Sequence, residues 1–143
     1  MFAIINGPNL NLLGKREPEI YGHDRFETIL RQIRETFPAD PIEYFQSNHE
    51  GEIIDKIHHL GYENPECDGI IINPGAYSHY SFAIADAISS VPVPVVEVHI
   101  SNIMGREEFR HQSVTAPSCV GMITGLGLHG YLSAVAYLKT RKK

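Results

Sequence analysis

The segment D-G-I-I-I-N at residues 68–73 places three consecutive isoleucines directly after an Asp-Gly pair. An unbroken β-branched run of this kind predicts a strand that is covered on both faces, as strands are in parallel sheets. Four other segments also have the composition of strands, and they lie at residues 2–5, 42–45, 95–98 and 119–123. The pattern therefore predicts a sheet of five strands.

Helical periods fill the intervals between these strands. A helix is predicted from Asp24, because this residue and Glu27 have the spacing of a capping box. Further helices are predicted from an apolar stripe that ends at Gly61, from residues 80–89 and from a stripe over residues 128–138. Alternating strands and helices predict an α/β protein with a flavodoxin-like three-layer fold, in which a parallel sheet of order 2-1-3-4-5 carries helices on both faces.

Length and composition predict one ordinary globular domain over residues 1–143. Hydrophobic residues make up 43% of the chain and charged residues 20%, and no apolar run approaches the roughly 18 residues of a membrane span. The formal net charge of -5 argues against general nucleic-acid binding, which depends on neutralising phosphates. Because no apolar leader follows Met1, we expect a cytoplasmic protein.

The cysteines and histidines lack the spacing of metal ligands. Cys67 and Cys119 are too few for a disulfide framework, and we predict that both are buried free thiols. The eight histidines are scattered, without an H-E-x-x-H motif or similar spacing. The sequence therefore predicts no metal site.

The segment after the first strand is N-G-P-N-L-N-L-L-G-K-R-E-P-E-I-Y-G at residues 6–22. An ordinary connection from a strand to a helix takes about 2–6 residues, so this one is unusually long. It contains Asn9, Arg16 and Tyr21 among glycines and prolines that can shape a mobile loop. We predict that the loop is a lid over a polar substrate.

Polar side chains also follow the third and fourth strands. They are Asn73, Ser78 and His79 after the third strand, and Glu97, His99 and Ser101 at the end of the fourth. Ligands of open parallel sheets bind at the carboxyl ends of the strands, near the point where the strand order reverses. We therefore expect these two clusters to converge with the loop at 6–22.

Each cluster also has a purely structural interpretation. Alternation puts Glu97 and His99 on one side of an extended segment, about 7 Å apart. The pair could be a proton donor oriented by a carboxylate, or His99 could be a polar residue at the rim of the sheet without a chemical role. Ser78 and Asn73 could cap a helix and close a turn, or they could join His79 in an anion cradle. A triad of Ser78, His79 and Asp86 is rejected, because adjacent side chains seldom face each other and the chain has no G-x-S-x-G elbow.

Two further motifs leave the same choice between function and packing. Arg106 and Arg110 lie four residues apart, which predicts one helical turn with both guanidinium groups on one side. They could form an ion-paired surface, bind a carboxylate or order the lid. The string G-L-G-L-H-G at 125–130 matches the dinucleotide fingerprint, but no acidic residue follows at the required distance, so close helix packing is predicted instead.

Four segments taken together resemble the type II 3-dehydroquinate dehydratases. They are residues 6–22, I-N-P-G-A-Y-S-H at 72–79, E-V-H-I-S-N at 97–102 and R-E-E-F-R-H-Q-S at 106–113. The resemblance implies a flavodoxin-like, cofactor-free enzyme that converts 3-dehydroquinate to 3-dehydroshikimate and water. The expected reaction is an anti elimination through an enolate, used in the shikimate pathway or in quinate breakdown. The resemblance also implies a homo-oligomer, a dodecamer built as a tetramer of trimers.

Carried over by position, the resemblance implies a role for each matching residue. Tyr21 is the expected base, with Arg16 beside it, and Asn9 is expected to hold a water at the enolate oxygen. His99 is the expected acid and Glu97 its orienting carboxylate. The expected substrate contacts are Asn73, His79, Ile100, Ser101 and Arg110, and Asp86 is expected to reach the site of a neighbouring subunit. Met104-Gly105 departs from the His-Ala of many members, next to Arg106.

From the residues alone, a competing hypothesis is a flavodoxin-like binding or signalling module that holds a phosphate or nucleotide at the same sheet edge. Phosphate sites on such folds favour Ser-, Thr- or Gly-rich loops after the first strand. The loop at 6–22 offers Asn, Arg and Tyr instead. The dehydratase that the resemblance implies is therefore the leading hypothesis.

Overall fold

A computed structural model describes residues 1–15, 19 and 25–142. Its strands are β1 (Phe2–Asn6), β2 (Ile42–Gln46), β3 (Gly69–Asn73), β4 (Val95–His99) and β5 (Gly121–Thr124). Every strand pair is parallel, and the order is β2-β1-β3-β4-β5. The predicted sheet is therefore confirmed, although the fifth strand begins at Gly121 rather than at Cys119.

The sheet is packed between two layers of helices. The α-helices of the described residues are α1 (Phe26–Thr36), α2 (Glu50–His58), α3 (Phe82–Ser90) and α4 (His129–Arg141). One core joins α1 and α4 to the face of the sheet that contains Ile4 and Ile71, and the other joins α2 and α3 to the face that contains Ile5 and Ile72. Consecutive isoleucines of the central strands thus enter opposite cores, which is why the run at 70–72 contains no polar position.

Three local predictions need correction. Helix α1 begins at Phe26, and Asp24, the predicted cap, lies outside the described residues. Gly61 does not end a helix, because α2 continues into a π-helical turn at His59–Glu63. A Cβ at Gly61 would lie 2.4 Å from Cγ1 of Val91, so glycine serves close packing there. The single helical turn predicted around Arg106 and Arg110 is also absent from this described part of the chain. The residues between β4 and β5 instead form three short 3-10 turns at Ile103–Gly105, Glu108–Arg110 and Ala116–Ser118.

The end of α4 is tied to the amino edge of the sheet by charge. Asp40 forms ion pairs with Lys139 and Lys142, and Lys142 also lies 2.9 Å from Asp68. Asp40 is buried, and its hydrogen bond with Lys139 is the main reason that its pKa is lowered from 3.8. The basic end of the last helix is therefore part of the folded structure.

Candidate active site

An open cavity of about 650 Å³ lies at the carboxyl ends of β1, β3 and β4. Its lining includes these residues from the sequence-based predictions: Asn9, Asn73, His79, His99, Ile100, Ser101, Arg106 and Arg110. The polar clusters after the three strands thus converge, because parallel strands end at one edge. Glu97 lies directly behind His99, whereas Asp86 is exposed on α3 and does not line the cavity. Arg16 and Tyr21 lie outside the described residues.

His99 and Glu97 form a buried, hydrogen-bonded pair at the edge of the cavity. Glu97 is 0% exposed and His99 is 5% exposed. The Nε2–H of His99 donates to Oε2 of Glu97 at 3.0 Å. This bond fixes the ring orientation and leaves Nδ1 as the nitrogen available to a molecule in the cavity. The predicted same-side placement of the two residues is therefore confirmed, and their contact is direct.

A buried polar chain positions Asn73 at the floor of the cavity. Its Nδ2 donates to the hydroxyl of Tyr131 at 2.9 Å, and that hydroxyl donates to Oδ1 of Asn6 at 2.7 Å. Its Oδ1 accepts the backbone N–H of Gly75 at 3.1 Å, so Asn73 does close a turn. Burial raises the pKa of the Tyr131 phenol far above its ordinary value, so the phenol is neutral at pH 7 and can donate to Asn6.

His79 faces His99 across the cavity, with ring centroids 6.3 Å apart and an interplanar angle of 24°. The Nδ1–H of His79 donates to the carbonyl of Gln112 at 2.8 Å. Burial is the main cause that lowers the pKa of His79 below 6.5, and His99 and Arg110 act in the same direction. The imidazole is therefore neutral at pH 7, with Nε2 as an acceptor.

Ser78 does not cap helix α3, which was one of its two possible roles. Helix α3 is capped by Ser81, whose hydroxyl accepts the N–H of Ile84 at 3.1 Å. Ser78 is fully buried, and its Oγ has no hydrogen-bond partner among the described residues. With Asp86 exposed on α3, the structure also gives no support to the rejected triad.

Asn9 adopts a left-handed backbone with φ of 68°. Its N–H donates to Oδ1 of Asn48 at 3.0 Å, and the carbonyl of Asn48 accepts the hydroxyl of Tyr77 at 2.8 Å. Asn tolerates this conformation better than most residues. The first turn of the loop after β1 is thus held by residues that follow β2 and β3.

Arg106 and Arg110 both reach the cavity, but they do not share a helical turn. Arg106 has an extended backbone, and Arg110 ends a separate 3-10 turn. Nη1 of Arg106 donates to Oγ of Ser101 at 3.2 Å, and Nε of Arg110 donates to Glu107 at 2.7 Å. The predicted local geometry was therefore wrong, although both arginines line the cavity.

The string at 125–130 packs β5 against α4. Gly125 and Gly127 have φ of 86° and 58°, a region that favours glycine. A Cβ at Gly130 would lie 3.3 Å from Val98. The predicted packing role is therefore confirmed.

The remaining observations concern the two cysteines, membrane-spanning helices and metal-binding clusters. Cys67 and Cys119 are both free, as predicted, but only Cys67 is fully buried and Cys119 is half-buried. Loss of solvent around the half-buried thiol is the main cause that raises the pKa of Cys119 to about 12. Within residues 1–15, 19 and 25–142, no helix has the length and apolar character of a membrane span, and no three His, Cys, Asp or Glu side chains are grouped to hold a metal ion.

Comparison with known proteins identifies the family. The family model described as "Dehydroquinase class II" matches residues 1–139. The chain belongs to the class II dehydroquinase family. Among curated dehydroquinases, the 3-dehydroquinate dehydratase of Caldicellulosiruptor bescii is 57% identical over 138 residues, which are 95% of this chain and 94% of the relative. That of Clostridium perfringens is 56% identical over 142 residues, which are 98% and 97% of the two chains.

A solved dehydroquinase structure supports the same family at the level of the fold. The type II dehydroquinase of Butyrivibrio crossotus has a TM-score of 0.89 with this chain at 52% identity, and the match covers 96% of each chain. The likeness therefore extends over nearly the whole chain.

Three contributors to the site were missed from the sequence. Tyr131 lies on the last helix, and Ser113 and Thr115 bind Glu97 from the segment between β4 and β5. Their partners are 58, 16 and 18 residues away along the chain. A hydroxyl with a distant partner leaves no periodic signal, so only the fold could reveal these residues.

Proposed function

We propose that this chain is a hydro-lyase that converts 3-dehydroquinate to 3-dehydroshikimate and water in the cytoplasm. The observation that carries the proposal is the buried pair of His99 and Glu97 beside two arginines, in a cavity of a class II dehydroquinase fold. The substrate has a carboxylate and several hydroxyl groups, so it needs cations and polar side chains. Within the described residues, the cavity supplies both.

His99 is the proposed general acid for the departing hydroxyl. Its bond to Glu97 leaves Nδ1 available to the cavity, and Glu97 also stabilises the charged imidazolium from which a proton can be given. A positioned acid of this kind contributes about 10²- to 10⁴-fold to a rate. Neutral His79, Asn73 and Asn9 are proposed to bind the hydroxyl groups and a water at the enolate oxygen.

The substrate carboxylate is proposed to bind at Ile100 and Ser101. Ser101 already accepts a hydrogen bond from Arg106, and Arg110 lines the same cavity. A carboxylate there would lie close to both guanidinium groups, which form strong charge-assisted bonds with such anions.

Tyr21 is the proposed base, with Arg16 as its activating cation. A tyrosine phenol has an ordinary pKa of about 10, and lowering it to about 7 takes about 4 kcal/mol of preferential phenolate stabilisation. One cation at about 4 Å supplies about that energy at an effective dielectric constant of about 20. Arg16 at such a distance would therefore be sufficient to lower the pKa of Tyr21 as the proposed elimination through an enolate requires.

We also propose the dodecamer of four trimers, with Asp86 at the site of a neighbour. The exposed position of Asp86 on α3 leaves its carboxylate accessible to another subunit. Light scattering after gel filtration would measure the mass directly. A monomer at working enzyme concentrations would contradict this part of the proposal.

The function is tested by adding 3-dehydroquinate and following the absorbance of the conjugated enone product. We expect turnover that persists with a chelator, and Tyr21→Phe should abolish it while the melting temperature stays unchanged. A wild-type chain without turnover would contradict the proposed reaction, and an active Tyr21→Phe variant would contradict the proposed base. A thermal-shift screen distinguishes the enzyme from the competing binding module. Stabilisation by dehydroquinate-like polyols with a carboxylate would support the enzyme, and stabilisation only by FMN or nucleotides would support the module.

A further inference from the structure

Two hydroxyl groups outside the cavity bind the carboxylate of Glu97. Oγ of Ser113 donates to Oε2 at 2.7 Å, and Oγ1 of Thr115 donates to Oε1. With the Nε2–H of His99 on Oε2, both carboxylate oxygens are held. Glu97 and Thr115 are each 0% exposed, so these hydroxyl groups supply the hydrogen bonds that water would donate to an exposed carboxylate.

The hydroxyl of Thr115 is dedicated to this carboxylate. Oγ of Ser113 also accepts the N–H of Ala116 at 3.0 Å, so Ser113 helps to build the local turn. Oγ1 of Thr115, in contrast, donates its one proton to Glu97, and its other polar neighbour among the described residues is Oγ of Ser113 at 3.1 Å. Neither residue lines the cavity. The hydroxyl of Thr115 is therefore connected to the cavity through Glu97 and His99.

We propose that Thr115, assisted by Ser113, is a positioning residue that holds the His99 ring in one orientation, with Nε2 on Glu97 and with Nδ1, which carries the second proton of the imidazolium, directed to the ligand. The carboxylate can rotate about its terminal torsion, which is soft, and the two hydroxyl groups remove this freedom. Oε2 then stays on Nε2 of His99, and Nδ1 stays directed to the ligand. This inference rests on the proposed function for its catalytic consequence, whereas the ring orientation itself is a property of the free protein.

The test compares Thr115→Val, which has nearly the same shape without the hydroxyl, with Thr115→Ser, which restores it. Thr115→Val should lower kcat for 3-dehydroquinate at least about tenfold, because a buried carboxylate loses a donor. KM should change less than about threefold, and Thr115→Ser should recover most of kcat. Ser118→Ala is the matched control, since its hydroxyl lies in the same turn and contacts Ser89 instead.

A readout without substrate makes the two proposals separable. In protein with ¹⁵N-labelled histidine, studied at a pH high enough for the ring to be neutral, the His99 signals, assigned by their loss in His99→Asn, should show the proton on Nε2 and none on Nδ1. Thr115→Val should mix the tautomers, and Thr115→Ser and Ser118→Ala should not. An unchanged pattern with unchanged kcat in Thr115→Val would overturn the inference. If Thr115→Val does not fold, Ser113→Ala must show the same mixing, and its absence would likewise overturn the inference. Absent wild-type turnover would contradict only the proposed function.

Discussion

Removing the Tyr131 hydroxyl should destabilise the fold far more than its single atom implies. In Tyr131→Phe, Nδ2 of Asn73 loses its acceptor and Oδ1 of Asn6 loses its donor. Tyr131 and Asn6 are 0% exposed, and Asn73 at the floor of the cavity is 3% exposed, so water has little access to the two groups that lose their partner. Each orphaned group costs about 1–3 kcal/mol, which gives a loss of about 2–6 kcal/mol in the free energy of unfolding.

Urea denaturation at a fixed protein concentration measures this loss. Tyr137→Phe is the control, because Tyr137 lies on the same helix and is 41% exposed. Among the described residues, its hydroxyl accepts a hydrogen bond from exposed Arg141 alone. Its effect should stay within about 0.5 kcal/mol. A Tyr131→Phe variant that loses less than about 1 kcal/mol, or no more than the control, would refute the reasoning.

Two further predictions concern charge and packing. Because the pKa of Asp40 is lowered from 3.8 by Lys139, the unfolded chain binds more protons, and the stabilisation is complete above about pH 5 and lost as the pH falls further. Asp40→Asn should therefore lower the urea midpoint at pH 7 but much less at pH 3, and an equal difference at both would contradict this. Gly61→Ala should cost about 1–3 kcal/mol by overpacking Val91 and be rescued by Val91→Ala, whereas Gly51→Ala, with open space around its Cβ, should not destabilise. Equal urea midpoints for the two glycine variants would contradict the packing account.

The sheet was predictable because its information is local. Ile70, Ile71 and Ile72 form a continuous apolar run, and the alternation with helical periods gives the strand order of a doubly wound fold. Parallel strands end at one edge, so the meeting of Asn9, Asn73 and His99 followed from the topology alone.

Local geometry was less predictable where short turns replace helices. Gly75 at φ of 60° allows a 3-10 turn that occupies residues 75–79, so the helix cap moves from Ser78 to Ser81. Arg106 becomes extended for a similar reason, since the segment after β4 folds into 3-10 turns. Spacing rules for helices do not apply to such segments.

The polar partners behind the site were not predictable at all. Tyr131 and Asn6 are 125 residues apart along the chain, and Thr115 and Glu97 are 18 apart. Each pair is a hydrogen bond between single side chains that only the packed fold brings together. These contacts exist only in the folded chain, and they determine the orientation of Asn73 and His99.

The account depends most on His99 as the group that donates a proton in the cavity. The decisive measurement is kcat for 3-dehydroquinate in His99→Asn, with KM and the melting temperature recorded alongside. We predict a fall in kcat of about 10²- to 10⁴-fold, with KM within a few-fold of wild type and an intact fold. A well-folded variant whose kcat stays within about tenfold of wild type would contradict the account.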